Sequence, residues 1–146
     1  MAESIIWATI KAILIMCLLW YVIQLIADWK IFKKAGKPGW YSIIPLFNIM
    51  KEYEICWRMS VGVAYLITLF IGVLISQISE PPKILEVTGS LCTLIATLTH
   101  FAQSYKLSKA FEHGFGFAVI LIILGPLGRI ILGFGNSKYI GPQILT

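Results

Sequence analysis

Four apolar stretches, residues 5–27, 59–78, 84–105 and 115–134, dominate this sequence. Each holds about twenty residues or more, enough for a helix to cross a hydrocarbon core of about 30 Å. With 58% hydrophobic and 13% charged residues and a mean hydropathy of +0.84, the chain departs from the roughly 45–50% apolar and 25% charged usage of soluble domains. The apolar residues fall in blocks rather than in short alternating strands, which predicts membrane helices. The expectation is all-α: an integral membrane four-helix bundle, one domain over residues 1–146, with an interfacial amphipathic helix between spans 1 and 2. Met1-Ala2-Glu3-Ser4 lacks the basic n-region of a secretory signal, so the first span is expected to be retained.

The segment between the first two spans carries Lys30, Lys33, Lys34, Lys37, Lys51 and Arg58, half of the chain's 12 basic residues. Asp28, Trp29 and Lys30 mark the exit into the interface, where the amphipathic indole ring is favoured. Gly36 is suited to a left-handed helix stop, and Pro38 disfavours helix at the residue before it, so a tight turn through Gly39 and Trp40 is expected. Within the interfacial segment 40–58, a helical projection from Leu46 to Arg58 gathers Asn48, Lys51, Glu52, Glu54 and Arg58 on one arc, with Leu46, Ile49, Met50, Tyr53, Cys56 and Trp57 opposite. That predicts a helix in the membrane plane with a solvated charged face. The alternative is a re-entrant piece over 40–48, broken at Pro45. Lys30, Lys33, Lys34 and Lys37 are expected to face anionic lipid headgroups on the cytoplasmic side. Because the net charge of +5 collects beside apolar spans, lipid is a better partner for it than nucleic acid, and no nucleic-acid binding is expected.

For four spans, the basic loops 28–58 and around Lys106 and Lys109 hold eight Lys or Arg against Lys83 and Lys138 on the other side. The asymmetry predicts a multi-pass protein of the cytoplasmic membrane with both termini outside and residues 136–146 returning to the outer surface.

Within the spans, Lys11 and Gln24 read as interfacial adjustments. Thr88, Ser90, Cys92, Thr93, Thr97 and Thr99, with Gly89 and Ala96, read as a packing surface rather than a polar conduit. Gly125 and Pro126 should bend the fourth span. Arg129 needs an escape from the low dielectric, and Glu86, the one carboxylate that this reading puts inside a span, is its expected partner; Lys11 is the competing cation.

Catalytic chemistry has no visible carrier. His100 and His113 lack partners at ligand or acid-base spacing, and Glu52 and Glu54 read as a solvated helix face. The glycines at 114, 116, 133 and 135 form neither a dinucleotide fingerprint nor a phosphate loop. Cys17, Cys56 and Cys92 are isolated, so neither a metal site nor a disulfide framework is expected, and no cofactor.

The run Lys34-Ala35-Gly36-Lys37-Pro38-Gly39-Trp40, then Ile44-Pro45 and Asn48, is followed by Ser108-Lys109-Ala110-Phe111, Gly114-Phe115-Gly116-Phe117 and Leu132-Gly133-Phe134-Gly135. Together these resemble a bacterial family of small multispan membrane proteins of unknown function, some members of which look to be fused to type I signal peptidases. The resemblance covers most of residues 30–141 and implies a membrane fold without an activity. Arg58-Met59-Ser60 does not match the Ser-Met-x-Pro signature of those peptidases, so proteolysis is not carried over. Where the family has glycine and lysine after Phe111, this chain has Glu112 and His113. The expected function is a non-enzymatic accessory, scaffold or interaction subunit, with a protein partner or homo-oligomer. The alternative is a small oligomeric transporter or channel subunit.

Overall fold

The computed structural model describes residues 2–144, with Ala2, Glu3 and Ser4 as backbone only; Met1 and the last two residues of the expected tail lie outside it. The order is α1 (Ala2–Lys34), a 3-10 turn (Gly39–Ser42), α2 (Pro45–Cys56), α3 (Met59–Ser76), α4 (Lys83–Ala110), α5 (Phe115–Ile123), α6 (Gly125–Phe134) and an extended tail. Every element among the described residues is helical.

Three helices are long and apolar enough to cross a membrane: Ile5–Lys34 within α1, then α3 and α4. α1 continues past the expected span end at residue 27 and stops at Lys34, because Gly36 takes the left-handed conformation with φ 69° and Lys37 N–H closes back onto the Phe32 carbonyl at 2.9 Å. α3 and α4 form an antiparallel pair in which backbones come close: a Cβ on Gly72 would sit 2.8 Å from Thr93 Cγ2. The α4 hydroxyls bond their own helix, as in Thr88 to the Ile84 carbonyl at 2.7 Å and Thr97 to the Thr93 carbonyl at 2.8 Å.

The expected fourth span is two short helices, α5 of 9 residues and α6 of 10, which rise only about 14 and 15 Å at 1.5 Å per residue. The chain reverses at Leu124, where φ −119° and ψ 45° end α5, and Pro126 opens α6 because its missing N–H costs nothing in a first turn. His113 before α5 and Ser137 after α6 meet at 3.0 Å. A continuous helix would part them by about 36 Å, so α5 and α6 are the arms of a hairpin. The Gly125-Pro126 pair folds the segment back on itself rather than bending a span.

The placement of the tail changes with it. Tyr139 donates to the Ile55 carbonyl at 2.7 Å, Ile140 N–H to the Ala110 carbonyl at 2.8 Å, and Gln143 N–H to the Cys56 carbonyl at 2.9 Å. The tail therefore packs at the same end of the molecule as the basic 28–58 segment, opposite to the expected side. Burial raises the Tyr139 hydroxyl to about 12, so it stays protonated and donating.

The packed core lies at that end, where Ile31, Phe32, Ile55, Cys56, Leu107, Phe111, Leu121 and Leu132 converge. Away from it the long helices are open: 6% of the α1 span window is buried, and residues 5–22 are all exposed, Lys11 among them. Apolar surface of this extent requires lipid or another protein against it.

Candidate functional site

The side chains expected to be solvated, interfacial or paired elsewhere converge on one buried cluster under this core. Asp28 faces inward on the same side of α1 as Ile31 and Phe32, three and four residues on, because those positions share a helix face. Asn48 and Glu52 are one turn apart on α2, and Gln103, Leu107 and Ala110 form a buried stripe on α4 at the same periodicity. The hairpin brings Arg129 down onto all of them.

Arg129 Nη2 donates to Glu52 Oε2 at 2.7 Å, and Nη1 reaches Asp28 Oδ2 at 3.3 Å and Oδ1 at 3.4 Å. Gln103 Nε2 donates to Glu52 Oε1 at 3.0 Å, and Asn48 Nδ2 to Asp28 Oδ2 at 3.0 Å. Glu52 is 6% exposed and Asp28 8%, so two carboxylates share one guanidinium away from bulk water. Burial pushes the Glu52 carboxyl upward, and the adjacent Arg129 charge opposes that push.

The expected Arg129 to Glu86 pair is therefore replaced. Glu86 lies in the exposed first turn of α4, near the far end of the molecule, whereas the hairpin holds Arg129 beside Asp28 and Glu52. The expected solvated face of α2 is corrected as well: Glu52 is buried and Asn48 bonds Asp28, because α2 is sandwiched against α3 and α4 instead of lying free on a surface.

Above the cluster is a cavity of about 480 Å³ lined by Gln24, Asp28, Glu52, His100, Gln103, Ser104 and Arg129 on its polar side. Leu107, Leu121, Ile122, Ile123 and the hairpin turn at Gly125 and Pro126 complete the wall. Gln24 Nε2 is buried there without a hydrogen-bond partner among the described residues. His100 stacks on Tyr65 at 6.4 Å, and Tyr65 on Tyr53 at 5.3 Å. Among the described residues no group of three or more His, Cys, Asp or Glu side chains is placed to hold a metal ion.

The four lysines expected at the lipid surface divide. Lys33 is exposed, and Lys30 lies 4.0 Å over the Phe134 ring. Lys34 donates to the Leu132 carbonyl at 2.5 Å and the Gly135 carbonyl at 2.7 Å, capping α6. Lys37 pairs with Glu54 at 2.7 Å, as does Lys51 at 2.6 Å. The turn residues pack locally. The Trp29 ring lies against Gly39, within 2.3 Å of where a Cβ would stand; Trp40 stacks on Phe47 at 5.7 Å; and Pro45 opens α2 from a Pro38-led 3-10 turn.

Asp28, Gln103 and the inward role of Gln24 were missed by sequence reasoning. A signal was available in the helical spacing of Gln24 and Asp28 with Ile31, one polar-to-apolar face continued past the span end.

The sequence matches a family described as a family of unknown function (DUF5684) over residues 40–142, and the chain belongs to that family. No curated protein and no solved structure matches it.

Proposed function

We propose that this family member is a non-enzymatic multi-pass membrane protein that serves as an accessory or interaction subunit for another membrane protein. In this reading α1, α3 and α4 cross the bilayer, and the α5–α6 hairpin enters and leaves on one side, so the N-terminus is outside and the tail cytoplasmic. The charge balance supports that orientation: Lys30, Lys33, Lys34, Lys37, Lys51, Arg58, Lys106, Lys109 and Lys138 lie toward the hairpin's open end, against Lys83 at the other. Lys33 and Lys30 then meet anionic headgroups.

The observation that carries the interaction role is the bare apolar surface of α1 over residues 5–22, which is exposed along its whole length among the described residues. Photo-crosslinking residues introduced at Trp7, Leu14 and Leu18 test it in native membranes. Reproducible crosslinks to one protein from the same helix face support the role; lipid adducts alone at all three positions contradict it.

A second reading, a subunit of an oligomeric transporter or channel, is favoured by the charged cavity at the hairpin turn. Solute flux by the purified protein in liposomes supports that reading against the first.

A further inference from the structure

The cavity at the hairpin turn is built for more than holding two helices together. Asp28 and Glu52 face a single guanidinium, so the cluster carries one negative charge in excess when both carboxylates are ionised. An unbalanced buried charge is costly, and either a proton or a cation relieves it. Asp28 Oδ1 and both Glu52 oxygens accept one donor each and keep acceptor capacity, whereas Asp28 Oδ2 already accepts from Asn48 and Arg129; the Asp28 contacts to Arg129 at 3.3 and 3.4 Å are loose for a charged pair. The adjoining space of about 480 Å³ is many times the roughly 30 Å³ share of a water molecule, far more than a proton or bare ion fills. Leu107, Leu121 and Ile122 supply an apolar wall fitted to methylene groups. Gln24 adds a buried donor with no acceptor among the described residues, so the complementary ligand carries an oxygen beside its positive charge.

We propose that this cavity binds an ethanolamine-type group, a primary ammonium with an adjacent oxygen: the ammonium N–H groups donate to Asp28 and Glu52, which a choline headgroup without N–H cannot do, and the oxygen accepts from Gln24. Arg129 holds the two carboxylates in register, and His100 lines the same cavity. The same chemistry is offered by a free amino alcohol and by the headgroup of an ethanolamine phospholipid.

The test uses the full chain in phosphatidylcholine nanodiscs, with the ligand-dependent rise in unfolding temperature as readout. Ethanolamine is expected to give a saturable rise and its neutral analogue ethylene glycol none. Glu52→Gln and Gln24→Leu should each weaken ethanolamine binding by about tenfold or more. Gln24→Leu touches none of the ion pairs, so it remains informative if Glu52→Gln folds poorly. Adding phosphatidylethanolamine to the nanodisc separates the sources: loss of the ethanolamine response assigns the site to the lipid headgroup, and its persistence assigns it to the soluble amine. Equal responses to ethanolamine and ethylene glycol would overturn the proposal, as would an unaltered affinity in Gln24→Leu. So would the absence of a response to both ethanolamine and phosphatidylethanolamine.

Discussion

Removing the Arg129 charge with Arg129→Gln leaves Asp28 and Glu52 facing each other with the neutral amides of Asn48 and Gln103 as their remaining native side-chain donors among the described residues. Breaking a buried pair from one side costs about 3–5 kcal/mol. The Arg129 side chain keeps 28% of its surface exposed, against 8% for Glu52, so water in the cavity moderates the loss toward about 3 kcal/mol. The geometry also ranks the partners. The 2.7 Å contact to Glu52 is a well-formed charge-assisted hydrogen bond, while those to Asp28 at 3.3 and 3.4 Å are stretched. A double-mutant cycle of Arg129→Gln with Glu52→Gln should give a coupling of about 1.5–3 kcal/mol, and the cycle with Asp28→Asn a smaller one. The cycle with Glu86→Gln should be additive within about 0.5 kcal/mol. Unfolding by SDS in mixed micelles, followed by far-ultraviolet circular dichroism, supplies the four stabilities of each cycle. A coupling to Glu86 larger than that to Glu52 would refute the hairpin-borne cluster.

Gly133→Ala should separate α1 from α6, because the added Cβ would stand 2.6 Å from the Ala27 carbonyl oxygen and the obstacle is backbone; a loss of about 1–3 kcal/mol in the same unfolding assay is expected. Glu54 gives a pH signature. Burial pushes its carboxyl up, but hydrogen bonds from Lys37 and Lys51 outweigh that and hold it below the usual range. A depressed carboxylate contributes stability above its unfolded value of about 4.3 and loses it as pH falls through the folded value. The wild-type advantage over Glu54→Gln in thermal unfolding should therefore be present at neutral pH, stay below about 1 kcal/mol because the pair is partly exposed, and vanish in acid. An advantage that grows in acid would refute it.

The sequence was most legible where length and composition act alone. The apolar runs at 5–27, 59–78 and 84–105 each fall within or over a long helix, and Gly36 marks the end of α1 because few other residues take its φ. The run at 115–134 misled because hydropathy counts residues without seeing direction: Leu124, Gly125 and Pro126 reverse the chain inside an apolar stretch that otherwise has the length of a span. That one reversal also moved the tail to the other end and carried Arg129 away from Glu86. The amphipathic projection of α2 separated polar from apolar residues, yet burial of its charged side depends on Asp28, Gln103 and Arg129, which lie 20 to 77 residues away in the chain. No local pattern encodes such a meeting.

The hairpin determines where the tail, Arg129 and the cavity lie, and cysteine accessibility tests it most directly. In a background with Cys17, Cys56 and Cys92 replaced, single cysteines at the exposed positions Lys33→Cys, Glu80→Cys and Lys138→Cys are exposed to a membrane-impermeant maleimide from each side in turn. Three crossings with a re-entrant α5–α6 predict that positions 33 and 138 label from one side and position 80 from the other. Labelling of 138 together with 80, and apart from 33, would show that residues 115–134 cross the membrane after all and would contradict the account.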